Sequence, residues 1–255
     1  MTTGEEARAD THILIADDHD SFRSTLRAVL GTVDGLVVVG EAATGSEAVS
    51  QVAALHPDVV LMDLAMPDLG GIEATRQIVD AAPHVAVLVL DAPDGMSAED
   101  KKIANLVMDT GRALLLAANK WDMVEDKDRW FKRLEDEVQL YARATVLRTS
   151  ATRGQGVHRL GPLLLDLHAR WSSRASTSSV NDIVQTAQRE RPTPKGTGTL
   201  HYATQVSTAP PTFVIFGGSR PPDATYQRYL ENRLRRDLRL DGVPIRLRFR
   251  SRGRR

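Results

Sequence analysis

Cysteine is absent from the 255 residues. That excludes disulfides and thiolate metal sites, and it fits a reducing compartment. No apolar run approaches the roughly 18 residues a membrane helix requires. The opening Met1-Thr-Thr-Gly-Glu-Glu is polar and acidic, without the basic segment and apolar core of a secretory signal. The expectation is a cytoplasmic protein with no membrane partner. Also missing is a Gly-rich turn ending in Gly-Lys-Ser/Thr, whose N–H groups would cradle a triphosphate and whose hydroxyl would hold Mg2+. Gly40-Glu-Ala-Ala-Thr-Gly45-Ser has the glycines but no lysine in place. Net charge is zero, yet the balance is uneven: residues 171–255 hold 16 Lys/Arg against 6 Asp/Glu, and residues 1–170 hold 17 against 27. An acidic body with a basic tail points the tail toward polyanions, nucleic acid above all.

Hydrophobic residues make up 42% of the chain, enough for a globular core. Apolar runs alternate with helical periodicity. Strands are expected at 12–16, 36–40, 58–63, 85–90, 113–118 and 144–149, and helices at about 20–31, 45–55, 71–82, 97–110, 126–143 and 157–171. Val85-Ala-Val-Leu-Val-Leu90 and Ala113-Leu-Leu-Leu-Ala-Ala118 are apolar on both faces. Such strands belong to a parallel sheet covered by helices on both sides, a doubly wound α/β fold. Functional groups are then expected at the carboxyl ends of the strands. Ser172-Ser-Arg-Ala-Ser-Thr-Ser-Ser179 reads as a polar linker. Beyond it the pattern predicts a helix at about 180–190, strands at 199–207 and 211–217, a helix at 223–239 and a strand at 244–250. That is a small α+β domain over 180–255, whose Arg-rich end, Arg246 to Arg255, is expected to fray.

Asp17 and Asp18 end the first expected strand and Asp63 ends the third. Three carboxylates at adjacent strand ends can converge on Mg2+, which takes oxygen ligands and bridges to phosphate. A carboxylate beside that ion can act as a nucleophile toward a phosphoryl group. With His19, Met62-Asp-Leu-Ala-Met-Pro-Asp68 and Gly71, this pattern resembles the receiver domain of two-component response regulators over residues 11–90. The resemblance implies that Asp63 is the phosphoacceptor, that Asp17, Asp18 and Asp63 hold Mg2+ with the carbonyl of Ala65, and that a histidine kinase is a partner. Receivers also use a hydroxyl at the end of the fourth strand and a lysine at the end of the fifth. Here Asp91 stands at the hydroxyl position, and an ionised carboxylate cannot donate. Lys120 ends the fifth strand.

From about residue 88 the chain changes character. Leu90-Asp-Ala-Pro-Asp-Gly95, Ala118-Asn-Lys-Trp-Asp122, Thr149-Ser-Ala-Thr-Arg-Gly-Gln-Gly156, Tyr202-Ala-Thr-Gln-Val206, Pro210-Pro-Thr-Phe-Val-Ile-Phe216 and Tyr229-Leu-Glu-Asn-Arg-Leu234 follow in order. The series resembles the end of the second GTPase domain and the KH-like C-terminal domain of the Der (EngA) ribosome-assembly GTPases, over about 88–250. Asp122 can accept from the guanine N1 and N2 donors, the Lys120 stem can lie over the base, and Asn119 can brace the neighbouring loop. Ser150-Ala151 can offer a backbone N–H to guanine O6. The resemblance implies GTP or GDP as ligand and ribosomal RNA or a ribosomal subunit as partner. The family's phosphate loop, switch threonine and Asp-x-x-Gly turn are missing, so hydrolysis is not expected.

Both parent folds share the strand at 85–90. Joined there, they predict a six-stranded, mainly parallel sheet in the order 2-1-3-4-5-6, with the Asp63 strand in the slot of the missing phosphate-loop strand and right-handed crossovers. The expected division is a hybrid domain over 1–171 (receiver-like 11–90, GTPase-like 91–171), the linker, and the basic KH-like domain. Its expected RNA-contacting residues are Arg228, Arg233, Arg235, Arg236 and Arg239 on or near one helix, and Arg246, Arg248 and Arg250 alternating along one strand face. Phe216-Gly-Gly-Ser-Arg220 departs from the Gly-x-x-Gly clamp of KH domains. The leading expectation is a Der-like, RNA-associating protein with residual guanine-reading loops. The alternative is an atypical response regulator with a KH-like output domain.

Overall fold

A computed structural model describes residues 10–63, 66–69, 71–81, 85–150 and 152–251. Six strands form the larger sheet: β1 (Thr11–Ala16), β2 (Leu36–Ala42), β3 (Val59–Met62), β4 (Val85–Asp91), β5 (Ala113–Asn119) and β6 (Thr145–Arg148). All pairings are parallel and the order is β2-β1-β3-β4-β5-β6, as expected. The seam therefore lies inside one sheet: β4 pairs with β3 from Val59↔Val85 to Met62↔Leu88, and with β5 from Val85↔Ala113 to Asp91↔Asn119.

Alternate side chains of these strands go to opposite faces. Ile13, Ile15, Val59, Leu61, Val87, Leu115 and Leu147 meet α1 (Asp20–Leu30) and α6 (Leu160–Trp171). On the other face, Leu14, Val60 and Met62 pack on α2 (Gly45–Leu55) and α3 (Gly71–Ala81). Leu88, Leu90, Leu114 and Leu116 pack there on α4 (Ala98–Asp109) and α5 (Lys127–Val138). Between α1 and α6 lies a small apolar cavity of about 20 Å³, lined by Phe22, Leu26, Val87, Val89, Ala117 and Leu160 among others. It sits where helices of the two parent types face one another.

The smaller sheet has the order β7-β8-β9, from β7 (Leu200–Ser207), β8 (Thr212–Gly217) and β9 (Arg246–Arg250). It is covered by α7 (Thr177–Glu190) and α8 (Ala224–Asp237). Two expected boundaries move. The segment read as linker up to 179 is helical from Thr177, because the Ser176 hydroxyl accepts from Ser179 N–H and caps α7. The helix expected over 126–143 stops at Val138, and the chain turns through left-handed Ala142 and Arg143.

The two sheets share one buried cluster, which runs from Ile13 and Leu115 through Leu164 and Trp171 to Val180, Phe213 and Leu230. Backbone bonds stitch the join. Leu114 N–H donates to Gly242 O at 2.9 Å and Gly242 N–H to Ala142 O at 2.7 Å. Within the body, the Trp171 indole, a member of the shared cluster, donates to Gly111 O at 2.9 Å. Gln205 accepts from Ala175 N–H at 2.7 Å and donates to Ser173 O at 2.9 Å.

Candidate functional site

The site grows from the carboxyl ends of four neighbouring strands. Asp17 leaves β1 with its N–H bonded to Ala42 O, and Asp63 leaves β3 with its N–H bonded to Ala16 O. These bonds hold both carboxylates at the lip of the sheet. His19 begins the turn into α1; its N–H donates to Asp17 at 2.8 Å and its Nδ1 lies 2.7 Å from an Asp18 oxygen. One donor atom from each of Asp17, Asp18, His19 and Asp63 falls within 4.8 Å of the others. Asp17 is buried, and burial is the main cause of a carboxyl pKa raised above 3.8, with the charges of Asp63 and Asp18 adding to it. A hard divalent cation would relieve that crowding, and the oxygen-rich donor set suits Mg2+. Asp17, Asp18 and Asp63, read from the sequence as strand ends, lie together here. That reading left out His19 as a donor, although its adjacency to the acidic pair was the available signal. Ala65 lies outside the described residues.

Two strands along, Asp91 and Asn119 are paired at the ends of β4 and β5. Lys120 follows in a left-handed conformation and its ammonium binds Asp91. That hydrogen bond and the Asp91 charge raise the lysine pKa. The other Asp91 oxygen is buried without a hydrogen-bond partner among the described residues. Asp17, Asp63, Asp91, Asp94, Asn119, Lys120 and Thr152 line one open cleft of about 670 Å³.

Asn119, at this cleft, leads into the other guanine-reading candidates. Asn119 accepts from the Thr149 hydroxyl at 3.5 Å, a contact between the two loops. Asp122 is held by Ser150 and by Arg153, whose Nε lies 3.1 Å away. The Ser150 hydrogen bond is the first cause of a lowered Asp122 pKa. Arg153 thus occupies the carboxylate that a guanine edge would need. Ser150 is fully buried, and its N–H donates to Gln155 O at 3.0 Å. Ala151 lies outside the described residues.

The arginines of the tail divide. Arg235 is only 3% exposed and bonds Glu231 and Asn232. Arg233 binds Glu190 and Asp237, and Arg236 binds Asp237. A helix carrying its own counter-ions offers less charge to a polyanion than its arginine count implies. Burial removes Arg235 from the expected surface. Arg228, Arg239, Arg246, Arg248 and Arg250 are exposed, with no carboxylate at ion-pair distance among the described residues.

Comparison with known proteins separates the two parts. The response regulator receiver domain model matches residues 13–109, and the model for the KH-domain-like C-terminal region of EngA bacterial GTPase enzymes matches 174–250. The chain resembles two families in series. GTPase Der of Novosphingobium aromaticivorans is 40% identical over 185 residues, covering 69% of this chain and 40% of that protein. GTPase Der of Symbiobacterium thermophilum is 38% identical over 177 residues, covering 66% and 38%. The chain thus spans about two fifths of the length of these Der relatives. Among solved structures, the response regulator domain of Thermotoga maritima CheB aligns with TM-score 0.39 and 26% identity, over 52% of this chain and 96% of that one. Era in complex with MgGDPNP and a 16S ribosomal RNA segment aligns with TM-score 0.40 and 15% identity, over 95% and 93%. The receiver match runs past the seam at residue 91 to the end of α4. The Der-like and receiver-like stretches therefore overlap across β4 and α4, the strand and helix through which the sheet is continuous.

Proposed function

We propose that this chain is a Der-like, RNA-associating protein of the ribosome-assembly type, working in the cytoplasm with ribosomal RNA or a ribosomal subunit as partner. It keeps guanine-reading loops at Asn119, Lys120, Asp122, Ser150 and Ala151 but has no phosphate cradle, and it does not hydrolyse GTP competently. The observation that carries this reading is the cleft: Asp17 and Asp63 occupy the sheet edge beside Asn119 and Lys120, where a triphosphate would lie. Carboxylates there repel bare phosphates, and the bonds of Lys120 to Asp91 and Asp122 to Arg153 must break before a guanine nucleotide binds. Weak GDP affinity that needs Mg2+ follows. Calorimetry with GDP, with and without Mg2+, tests it. Binding is expected at Kd values of roughly 0.1–1 mM, about −5.4 to −4.1 kcal/mol, and Asp122→Asn should abolish it. Sub-micromolar GTP binding with turnover would overturn it.

A second reading is favoured by the four converging donors at Asp17, Asp18, His19 and Asp63. In it the chain is an atypical response regulator. Asp63 attacks the phosphorus of a phosphodonor, the bond to the leaving group breaks, and an aspartyl phosphate forms beside Mg2+. A histidine kinase would then be the donor and the KH-like region the output. Intact mass after incubation with acetyl phosphate and Mg2+ tests this. An adduct of one phosphoryl group that disappears in Asp63→Ala supports it, and no adduct dismisses it.

A further inference from the structure

The smaller sheet has one face packed on α7 and α8, through Leu200, Ala203, Phe213 and Ile215. Along β7 strict alternation would send Tyr202 to the same side as Leu200. An irregularity in the pairing between these two residues reverses this. Leu200 is fully buried and Tyr202 is 45% exposed on the opposite face. Tyr202 pairs with Phe216 on β8, and Phe216 pairs with Arg250 on β9. The two rings are 5.8 Å apart and tilted by 45°. Tyr202, Phe216, Arg250 and His201 border an open pocket of about 590 Å³. Arg248 and Arg246 continue the row of exposed cations along β9, successive members standing about 6.6 Å apart along a strand. Gln205, farther along β7, bonds Ser173 and Ala175 of the connecting segment, and Gly242 before β9 bonds Leu114 and Ala142 of the six-stranded part.

We infer that this face binds single-stranded RNA, stacking an unpaired base on Tyr202 and Phe216 while Arg248 and Arg250 hold the flanking phosphates. The inference deepens the proposed RNA association and rests on it. The occupant follows from the chemistry. The half-exposed Tyr202 ring offers apolar area to a base that has left its duplex, whereas a paired base hides its face in the stack. Arginines beside those rings with no carboxylate partner among the described residues select a polyanion. A protein partner with an apolar patch would leave three cations uncompensated. The Phe216-Gly-Gly-Ser-Arg220 turn that departs from the usual clamp stands at the edge of this platform, so backbone capture passes from a glycine loop to the arginine strand.

The test uses the full chain and three fluorescein-labelled probes: A12 RNA, an abasic backbone of the same length, and a 12-base-pair RNA duplex. Tyr202→Ala is expected to weaken A12 binding about tenfold or more and to leave the abasic and duplex probes unchanged, with Tyr202→Trp restoring A12 affinity. Arg248→Gln with Arg250→Gln is expected to weaken all three and to flatten their salt dependence. Equal A12 affinity of Tyr202→Ala and the unaltered chain, with loss only in the arginine variant, overturns stacking but leaves RNA association standing. Failure of the unaltered chain to bind any probe overturns both. Far-ultraviolet circular dichroism confirms folding of each variant.

Discussion

At the end of β4 the cleft carries the Asp91 carboxylate where a hydroxyl could donate to a phosphoryl oxygen, and Lys120 is bound to that carboxylate rather than reaching toward Asp63. Two costs fall on an incoming phosphoryl group: repulsion from one more anion and loss of the nearest cation. Asp91→Thr removes both. Under the response-regulator reading it should accelerate formation of the Asp63 phosphate from acetyl phosphate on the order of tenfold, the effect of about 1.4 kcal/mol in a barrier. Intact mass against time would show it, and an unchanged rate would remove Asp91 from the account. The sequence placed Asp91 and Lys120 at these strand ends, but their engagement with each other depends on the left-handed turn at Lys120. Nor could the sequence disclose Arg153 on Asp122. The two are distant in the chain, and only the meeting of the β5 and β6 loops brings them to 3.1 Å.

Helices α7 and α8 are clamped by one side chain. Arg233 on α8 binds Glu190 at the end of α7 and Asp237 one turn along its own helix. Asp237 is partly buried, which works against its charge, yet the hydrogen bonds from Arg236 and Arg233 hold its carboxyl pKa below 3.8. A depressed folded value means the interaction stabilises above 3.8 and is lost as pH falls through that lowered value. Asp237→Asn should therefore lower stability at pH 7 by up to about 1 kcal/mol, since the pair still borders solvent. The difference from the unaltered chain should vanish in strong acid. Thermal melts at pH 7 and pH 2 check the sign. Composition counts the arginines of this helix, whereas local i, i+4 geometry decides which already hold a carboxylate, as Arg233 and Arg235 do.

One buried cluster joins the two sheets, so we propose that the body over 1–171 and the tail over 180–255 unfold together despite their different resemblances. Gly242 is one stitch of this join. Its φ is +76°, its N–H and C=O both bond the body, and a Cβ there would lie 3.1 Å from Leu114 O. Gly242→Ala should cost about 1–3 kcal/mol and lower the melting of both parts. Calorimetry of the intact chain is expected to show one transition. Two separated transitions, or a broad melt without cooperativity, would mean the parts fold apart.

Much of the architecture was written in local pattern. Apolar runs at β4 and β5 with helical periodicity between them dictated a covered parallel sheet, because a strand apolar on both sides must bury both. The shared strand at 85–90 likewise dictated the order in which six strands could lie. The acidic cluster was legible because each of its carboxylates ends a strand of one sheet. Three things belonged to the tertiary structure alone: the Lys120–Asp91 and Arg153–Asp122 pairs, the burial of Arg235, and the irregularity that turns Tyr202 outward. Each depends on contacts between segments far apart in the chain, or on a slip of one residue in register, and alternation along a strand carries no record of either.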